Sequence, residues 1–226
     1  RLLFLEETDD GRLEPLVRPA RRIRKGQQLE MPCGRQARVL TDSYQGVLRV
    51  QPLQPIDEEY FERFGLVPIP PYLGRAAEDL DAERYQTTYA KDPGSVAAPT
   101  AGLHLTEELV QRLRGKGMTV ADLTLHVGLG TFAPVRTDRA EDHDMHSERY
   151  CIPEDLAKLI SERKRSGNGV VAVGTTVVRA LEAAMQDEIP QNREWRSTDL
   201  FITPGYEFRI VKALFTNFHT PRSTLM

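Results

Sequence analysis

Apolar residues follow two rhythms along this chain. Over the first fifty residues they come in short runs, at 2–5, Leu13–Val17, 37–40 and 46–50. Asp9-Asp10-Gly11 and Lys25-Gly26 fall between them as turns. Asp-Gly between apolar runs is a hairpin signal, and short strands at this spacing predict a small barrel or sandwich. Pro52 and Pro55 break the pattern. A short helix is expected over 57–65, with Asp57 as its cap and Gly65 as its stop. Val67-Pro-Ile-Pro-Pro-Tyr72 must be extended, because proline fixes its own φ and restricts the residue before it. A domain boundary is expected in 53–71.

Beyond residue 72 helical and strand periods alternate. Thr106 can cap a helix running to about Arg114, with Glu107 and Glu108 in its first turn. Leu123, Leu125 and Val127 share one face of a strand, so Thr124 and His126 share the other. Pro153 opens a second helix that buries Leu156, Leu159 and Ile160 and stops near Gly167. Val170-Val-Ala-Val173 reads as a buried strand, and Gly174-Thr175-Thr176 turns it into a helix over 177–185. Further strands are expected at 200–203, 208–211 and 214–217, with a turn at Pro204-Gly205. The expected architecture is an α/β main domain with a mixed sheet over 72–226, plus a small all-β barrel-like domain over 1–52.

Composition narrows the function classes. The chain has 226 residues, 40% hydrophobic and 28% charged, which is ordinary globular usage for one or two domains. No apolar run is long enough to span a membrane, and the four apolar residues at the N-terminus are too few for a signal peptide. Lacking an initiator Met, the chain reads as a fragment. Cys33 and Cys151 alone cannot make a disulfide framework, so a reducing, cytoplasmic setting is expected.

The net charge of −3 argues against a generally basic nucleic-acid binder. Its distribution says more: from Arg12 to Arg38 eight bases face two acids, with Arg18, Arg21, Arg22, Arg24 and Lys25 closest together. Such a segment is either a polyanion footprint or the solvated face of a β domain.

All five histidines sit in stretches rich in Gly, Thr, Pro or acids: His104, His126, His143, His146 and His219. Histidine is suited to proton transfer near neutrality. His143-x-x-His146-x-Glu148 could also be read as metal ligands, although the H-E-x-x-H spacing is absent. Gly128-Leu-Gly130 lacks the third glycine of the dinucleotide fingerprint, and no P-loop pattern occurs. The Gly174-Thr175-Thr176 turn opens a helix whose free N–H groups could hold a carboxylate or phosphate; a plain Thr cap is the alternative.

Several long motifs stand in one order: Tyr85-Gln-Thr-Thr-Tyr89, Asp92-Pro-Gly-Ser-Val-Ala-Ala-Pro-Thr-Ala-Gly-Leu-His104, and Thr124-Leu-His-Val-Gly-Leu-Gly-Thr-Phe132. Pro134-Val-Arg136, Asp142-His-Asp-Met-His-Ser-Glu148, Ala172-Val-Gly-Thr-Thr176, Val178-Arg179, Pro204-Gly-Tyr-Glu-Phe208 and Thr216-Asn-Phe-His219 follow. Over about Tyr72 to Met226 the chain resembles the S-adenosylmethionine:tRNA ribosyltransferase-isomerase family of queuosine biosynthesis. Departures are confined to flanking positions such as Leu105, Leu129, Val177, Lys212 and Thr220, and to the family's terminal stretches, which are missing here.

The resemblance implies transfer and isomerisation of the ribosyl part of S-adenosylmethionine onto 7-aminomethyl-7-deazaguanine at the tRNA wobble position. Epoxyqueuosine-tRNA forms while adenine and methionine leave. It implies S-adenosylmethionine as co-substrate, no prosthetic group, no metal, and a monomer. It points to His126, His143, His146, Glu148 and His219 as catalytic, with Asp142 beside them. Thr100, Gly102, His104, Gly128, Gly130, Thr131, Arg136, Thr175, Thr176, Arg179 and Asn217 are its substrate-binding candidates. It supplies tRNA as the polyanion for Arg18, Arg21, Arg22, Arg24 and Lys25. Two readings of other classes stand beside it: a metal-dependent hydrolase on His143, His146 and Glu148, and a non-catalytic RNA-binding module.

Overall fold

Strand β2 (Leu13–Val17) sets the pattern of the first half: Leu13, Pro15 and Val17 are buried, while Glu14 and Leu16 are half-buried. In the computed structural model of this chain, residues 2–7, 11–17, 19–44, 46–70, 73–92, 94–95, 97–127, 147–186 and 193–219 are described. The chain divides into two units, Arg1–Ala82 and Glu83–Met226.

The first unit holds β1 (Leu2–Glu7), β2, β3 (Gln28–Glu30), β4 (Gln36–Val39) and β5 (Val50–Pro52). All pairings are antiparallel, in the order β1-β2-β5-β4-β3. β1 and β3 are the edges of this sheet among the described residues. Leu13, Val17, Met31, Ala37, Val39, Leu48 and Val50 form its core. Pro15 has no N–H to give to the ladder, but its carbonyl still accepts from Leu48 N at 3.0 Å.

Helix α1 (Glu58–Phe64) lies in the stretch the sequence assigns to a linker, yet it is held by the sheet unit. Asp57 caps it by accepting from Tyr60 N. Tyr60 is buried, donates its hydroxyl to Pro32 O, and lies under the Arg35 guanidinium; Phe61 packs edge-on against Phe4. Burial of one face, invisible in the proline count, draws Ile56, Tyr60 and Phe61 onto the sheet unit. Helix α2 (Asp79–Arg84) is fixed by a two-pronged ion pair between Arg75 and Asp81, which holds the Asp81 carboxyl down to about 2.

The second unit contains α3 (Glu107–Gly115), β6 (Thr124–His126), β7 (Glu148–Cys151), α4 (Glu154–Arg165), β8 (Val170–Val173), α5 (Thr175–Ala184), β9 (Trp195–Thr198) and β10 (Val211–Phe215). Thr106 caps α3 as expected, accepting from Leu109 N. The expected single mixed sheet is, among the described residues, two sheets: antiparallel β6-β7-β9 and the parallel pair β10-β8. α5 carries the core between them, with Val178, Ala180, Leu181, Ala183 and Ala184 buried beside Tyr150, Ile152, Ile160, Ala172 and Ile210. No described helix is long and apolar enough to cross a membrane.

Glu182 sits fully buried on α5. Its carboxylate accepts from the backbone N–H groups of Arg209, Ile210 and Val211 at 2.8–3.1 Å, and from the Tyr206 hydroxyl. This explains a difference from the sequence reading. Strands expected at 208–211 and 214–217 become the single β10, because the donors of 209–211 are taken by a side chain and ladder pairing starts at Val211. Residues 200–203 form no strand, but Leu200 and Ile202 still pack on the core.

Glu182→Ala leaves three N–H donors without an acceptor, at about 1–3 kcal/mol each. The expected loss is at least about 3 kcal/mol, or roughly 10 °C in the melting temperature of this unit, with Glu182→Gln intermediate. Calorimetry decides it; an unshifted transition in Glu182→Ala would mean the donors find other partners.

Candidate functional site

The carboxy-terminal ends of the parallel pair gather most of the candidates. β8 ends at Val173, and Gly174 N donates to Phe215 O at the end of β10 (2.9 Å). Gly174 has a left-handed φ of +94° and caps α5 without any side-chain cap bond. The first N–H groups of α5, at Thr175 and Thr176, therefore keep the character of an anion-attracting helix terminus.

A 3-10 turn, Thr100–His104, lies against this end. Ala101 Cβ is 3.9 Å from where a side chain on Gly174 would begin. Gly102 is closed off by Tyr89: a Cβ there would fall 2.1 Å from the Tyr89 hydroxyl and 3.1 Å from Thr87 Cγ2. Burial pushes the Tyr89 phenol up, with Asp122 adding to the effect. Thr88 Oγ1 ties the two segments by donating to Leu105 O.

His104 is exposed and held at two points. Its Nε2 is 3.1 Å from Asn217 Oδ1, and its ring stands edge-on to Phe215, centroids 6.0 Å apart. His219 Nε2 is 3.5 Å from Thr216 Oγ1. Thus Thr100, Gly102, His104, Thr175, Thr176, Asn217 and His219 come from three separated motifs to one edge. Tyr89 and Phe215 belong there too, and sequence reasoning missed both. The Tyr85–Tyr89 motif was the available signal for Tyr89; an exposed Phe on a strand gave none for Phe215.

Two other candidates meet elsewhere. Glu148, expected to be catalytic, is a buried ion-pair partner of Arg179, with Nη1 to Oε2 at 2.6 Å. Their side chains are 3% and 13% exposed. Arg179 also donates to Thr198 O, joining α5 to β7 and β9. Breaking such a pair strands a buried charge, so it locks the site's scaffold whatever else it does.

Alternation along β6 is as expected: Leu125 packs on the core and His126 lies on the other face. Asp92, Gly94 and Ser95 lie against His126 and its neighbours. Thr124 Oγ1 donates to Asp92 Oδ2 (2.7 Å), Arg193 pairs with Asp92, and Val127 N donates to Ser95 Oγ. The His126 ring meets Trp195 at 4.5 Å between centroids, tilted by 44°, and Arg149 also lies over that indole. Gly94 is pressed against the imidazole: a Cβ would sit 2.8 Å from Cε1, on a backbone with φ +128°. His126 Nε2 is buried with no hydrogen-bond partner among the described residues. Burial, then Arg149, lowers the His126 pKa, with Asp92 opposing.

Arg21 and Arg22 lie on a 3-10 turn after β2, and Arg24 and Lys25 follow it. All four are exposed, and none of these side chains forms an ion pair among the described residues. Asp42 sits beside them, accepting from Lys25 N. Arg18, Gly128, Gly130, Thr131, Arg136, Asp142, His143 and His146 lie outside the described residues. Among the described residues no group of three His, Cys, Asp or Glu could hold a metal ion.

The family model described as "Queuosine biosynthesis protein" matches residues 1–226. The chain belongs to that family. Relatives named S-adenosylmethionine:tRNA ribosyltransferase-isomerase include one from Natranaerobius thermophilus, 48% identical over 94% of this chain and 62% of the relative. The Thermotoga maritima relative is 44% identical over 100% of this chain and 66% of its own length. That from Chlorobaculum parvum is 57% identical over 74% of this chain and half of its own. The chain therefore spans about two thirds or less of the relatives it matches. A crystal structure of an S-adenosylmethionine tRNA ribosyltransferase from Thermotoga maritima matches at 30% identity, over 99% of this chain and 61% of that one, with a TM-score of 0.41. Membership of the queuosine biosynthesis family accounts for the motif order from Tyr85 to His219.

His126 gives a pH signature. Its folded pKa is lowered, so the unfolded chain binds the proton first as pH falls through the ordinary histidine value near 6.5. Stability from this ring is full above that pH and declines below it. Thermal melts from pH 8 to pH 5 should fall less steeply for His126→Phe than for the parent. Parallel curves would mean the ring is not held neutral.

Proposed function

We propose that this chain carries the S-adenosylmethionine site of a tRNA ribosyltransferase-isomerase. The reaction transfers and isomerises the ribosyl group of S-adenosylmethionine onto 7-aminomethyl-7-deazaguanine at the wobble position, giving epoxyqueuosine-tRNA, adenine and methionine. The observation that carries the reading is convergence. Family motifs up to 113 residues apart bring His104, Gly102, Thr175, Thr176 and Asn217 to the carboxy-terminal edge of one parallel strand pair. That edge is where open α/β sheets bind ligands.

The start of α5, which no side chain caps, suits the carboxylate of the methionine moiety. Thr175 and Thr176 offer hydroxyls beside it, and His104, Asn217 and His219 line the same edge. Gly128, Gly130, Thr131 and Arg136 are assigned to the substrate, and His143 and His146 to proton transfer, on the family resemblance. His126 and Glu148 serve the site from behind, the first neutral under the 92–95 segment, the second by fixing Arg179. S-adenosylmethionine acts as co-substrate with no prosthetic group, in a cytoplasmic monomer.

Arg18, Arg21, Arg22, Arg24 and Lys25 are assigned to tRNA phosphates. Their density in the sequence supports it, as does the lack of an ion pair at Arg21, Arg22, Arg24 and Lys25 among the described residues, since each phosphate contact releases counterions. The test uses the natural full-length protein with S-adenosylmethionine and precursor-modified tRNA, following adenine release. One adenine per modified tRNA is expected. Protein that binds both substrates and releases none refutes the activity, and turnover that needs an added transition metal favours the hydrolase. For the Arg21→Glu, Arg22→Glu double variant, the slope of log affinity for tRNA against log salt should shrink by about two, with S-adenosylmethionine affinity unchanged. An unaltered slope removes tRNA from this segment.

A further inference from the structure

We propose that His104 takes up the proton that the reaction removes from its sulfonium substrate, and that Asn217 is the positioning residue that holds the ring for this step. The assignment rests on the activity proposed above.

Asn217 meets His104 Nε2 through its carbonyl oxygen, at 3.1 Å. A carbonyl can only accept, so Nε2 carries the hydrogen and the neutral ring keeps its lone pair at Nδ1. Nδ1 takes no hydrogen bond among the described residues, and His104 is exposed. Phe215, nearly perpendicular at 89°, fixes the ring's rotation. The carbonyl of the same Phe215 receives Gly174 N at the start of α5. The free ring nitrogen is thereby indexed to the helix terminus that suits the substrate's carboxylate.

The other described histidines are less suited. His126 has its Nε2 sealed under Gly94 and beside Trp195. Among the described residues, the hydrogen-bond partner of His219 is Thr216, three residues away, at 3.5 Å.

The step balances without a further reactant. A C–H bond acidified by the adjacent sulfonium gives its proton to Nδ1, and the electron pair stays on that carbon. The imidazolium then returns the proton to a nitrogen of the departing base, whose glycosidic C–N bond breaks with its electron pair going to the base. While the ring is charged, the Nε2–H bond to Asn217 is charge-assisted and stronger, and no second charge is needed to support it.

Wild-type full-length protein, His104→Gln, His104→Ala, Asn217→Ala and Asn217→Asp are compared by adenine release and by calorimetric binding of S-adenosylmethionine. His104→Gln should lower kcat by about 100-fold or more, with the Kd for S-adenosylmethionine nearly unchanged. His104→Ala should regain part of its rate with added imidazole, which a structural role would not produce. Asn217→Ala should lose about tenfold in kcat, and Asn217→Asp, which keeps the acceptor, should lose less. A near-normal rate in His104→Gln overturns the assignment. So does a loss confined to S-adenosylmethionine affinity, which would make His104 a binding residue. If His104→Gln does not fold, imidazole rescue of His104→Ala decides, and no rescue counts against the proposal. A wild type that binds S-adenosylmethionine but releases no adenine fails the activity reading itself, and this assignment with it.

Discussion

A carboxylate with no access to water must be met by donors, and in the second unit one such group organises its surroundings. Glu182 is fully buried on α5, and three consecutive backbone N–H groups converge on it. Neither side could be buried alone: a lone carboxylate in the interior would cost many kcal/mol, and each unmet N–H a further ~1–3 kcal/mol. Together they fix where the chain after Arg209 may run. Arg209 adds a bond from its guanidinium to Met185 O, at the C-terminal cap of the same helix. α5 is thus pinned to β10 near its C-terminus by Glu182 and Arg209, and at its N-terminus by the Gly174–Phe215 bond. The register that sets Asn217 opposite His104 follows from these two anchors.

The Glu148–Arg179 pair applies the same logic one step along α5. Arg179 reaches β7 through Glu148 and β9 through the Thr198 carbonyl. One helix therefore fixes both small sheets, which share no strand pairing among the described residues. A two-stranded parallel pair is a poor structure by itself. Here helix packing and side-chain carboxylates supply what further strand neighbours would give.

Local features were legible in the sequence. The caps Asp57 and Thr106 bond as their residue types require, and alternation placed Leu125 and His126 on opposite faces of β6. The motifs led to the family. Long-range features were not legible. A glutamate on a helix reads as solvated, so nothing local marks Glu182 as a core acceptor for residues nearly thirty positions later. β3 is three polar-flanked residues and carries no pattern; pairing with β4 creates it. Glu148 stood in an acidic, histidine-rich run that suggested chemistry. Its partner Arg179 lies thirty-one residues on, and only folding joins them.

The motif glycines show how far a resemblance needs geometry to interpret it. Gly102 invites the reading that an absent side chain admits substrate. In the structure the space a Cβ would take is filled by the Tyr89 hydroxyl, so Gly102 is required by a neighbour within the fold. Gly94 is similar: the imidazole of His126 occupies the place of its side chain. Each glycine lets one motif lie flat on a ring from another, Tyr89 under the Thr100–His104 turn and His126 under the 92–95 segment. Both segments belong to the single stretch Asp92–His104, which is clamped at each end by an aromatic ring. His104 sits just past the second clamp, so its position is inherited from the packing of Gly102 on Tyr89 as much as from its own bond to Asn217.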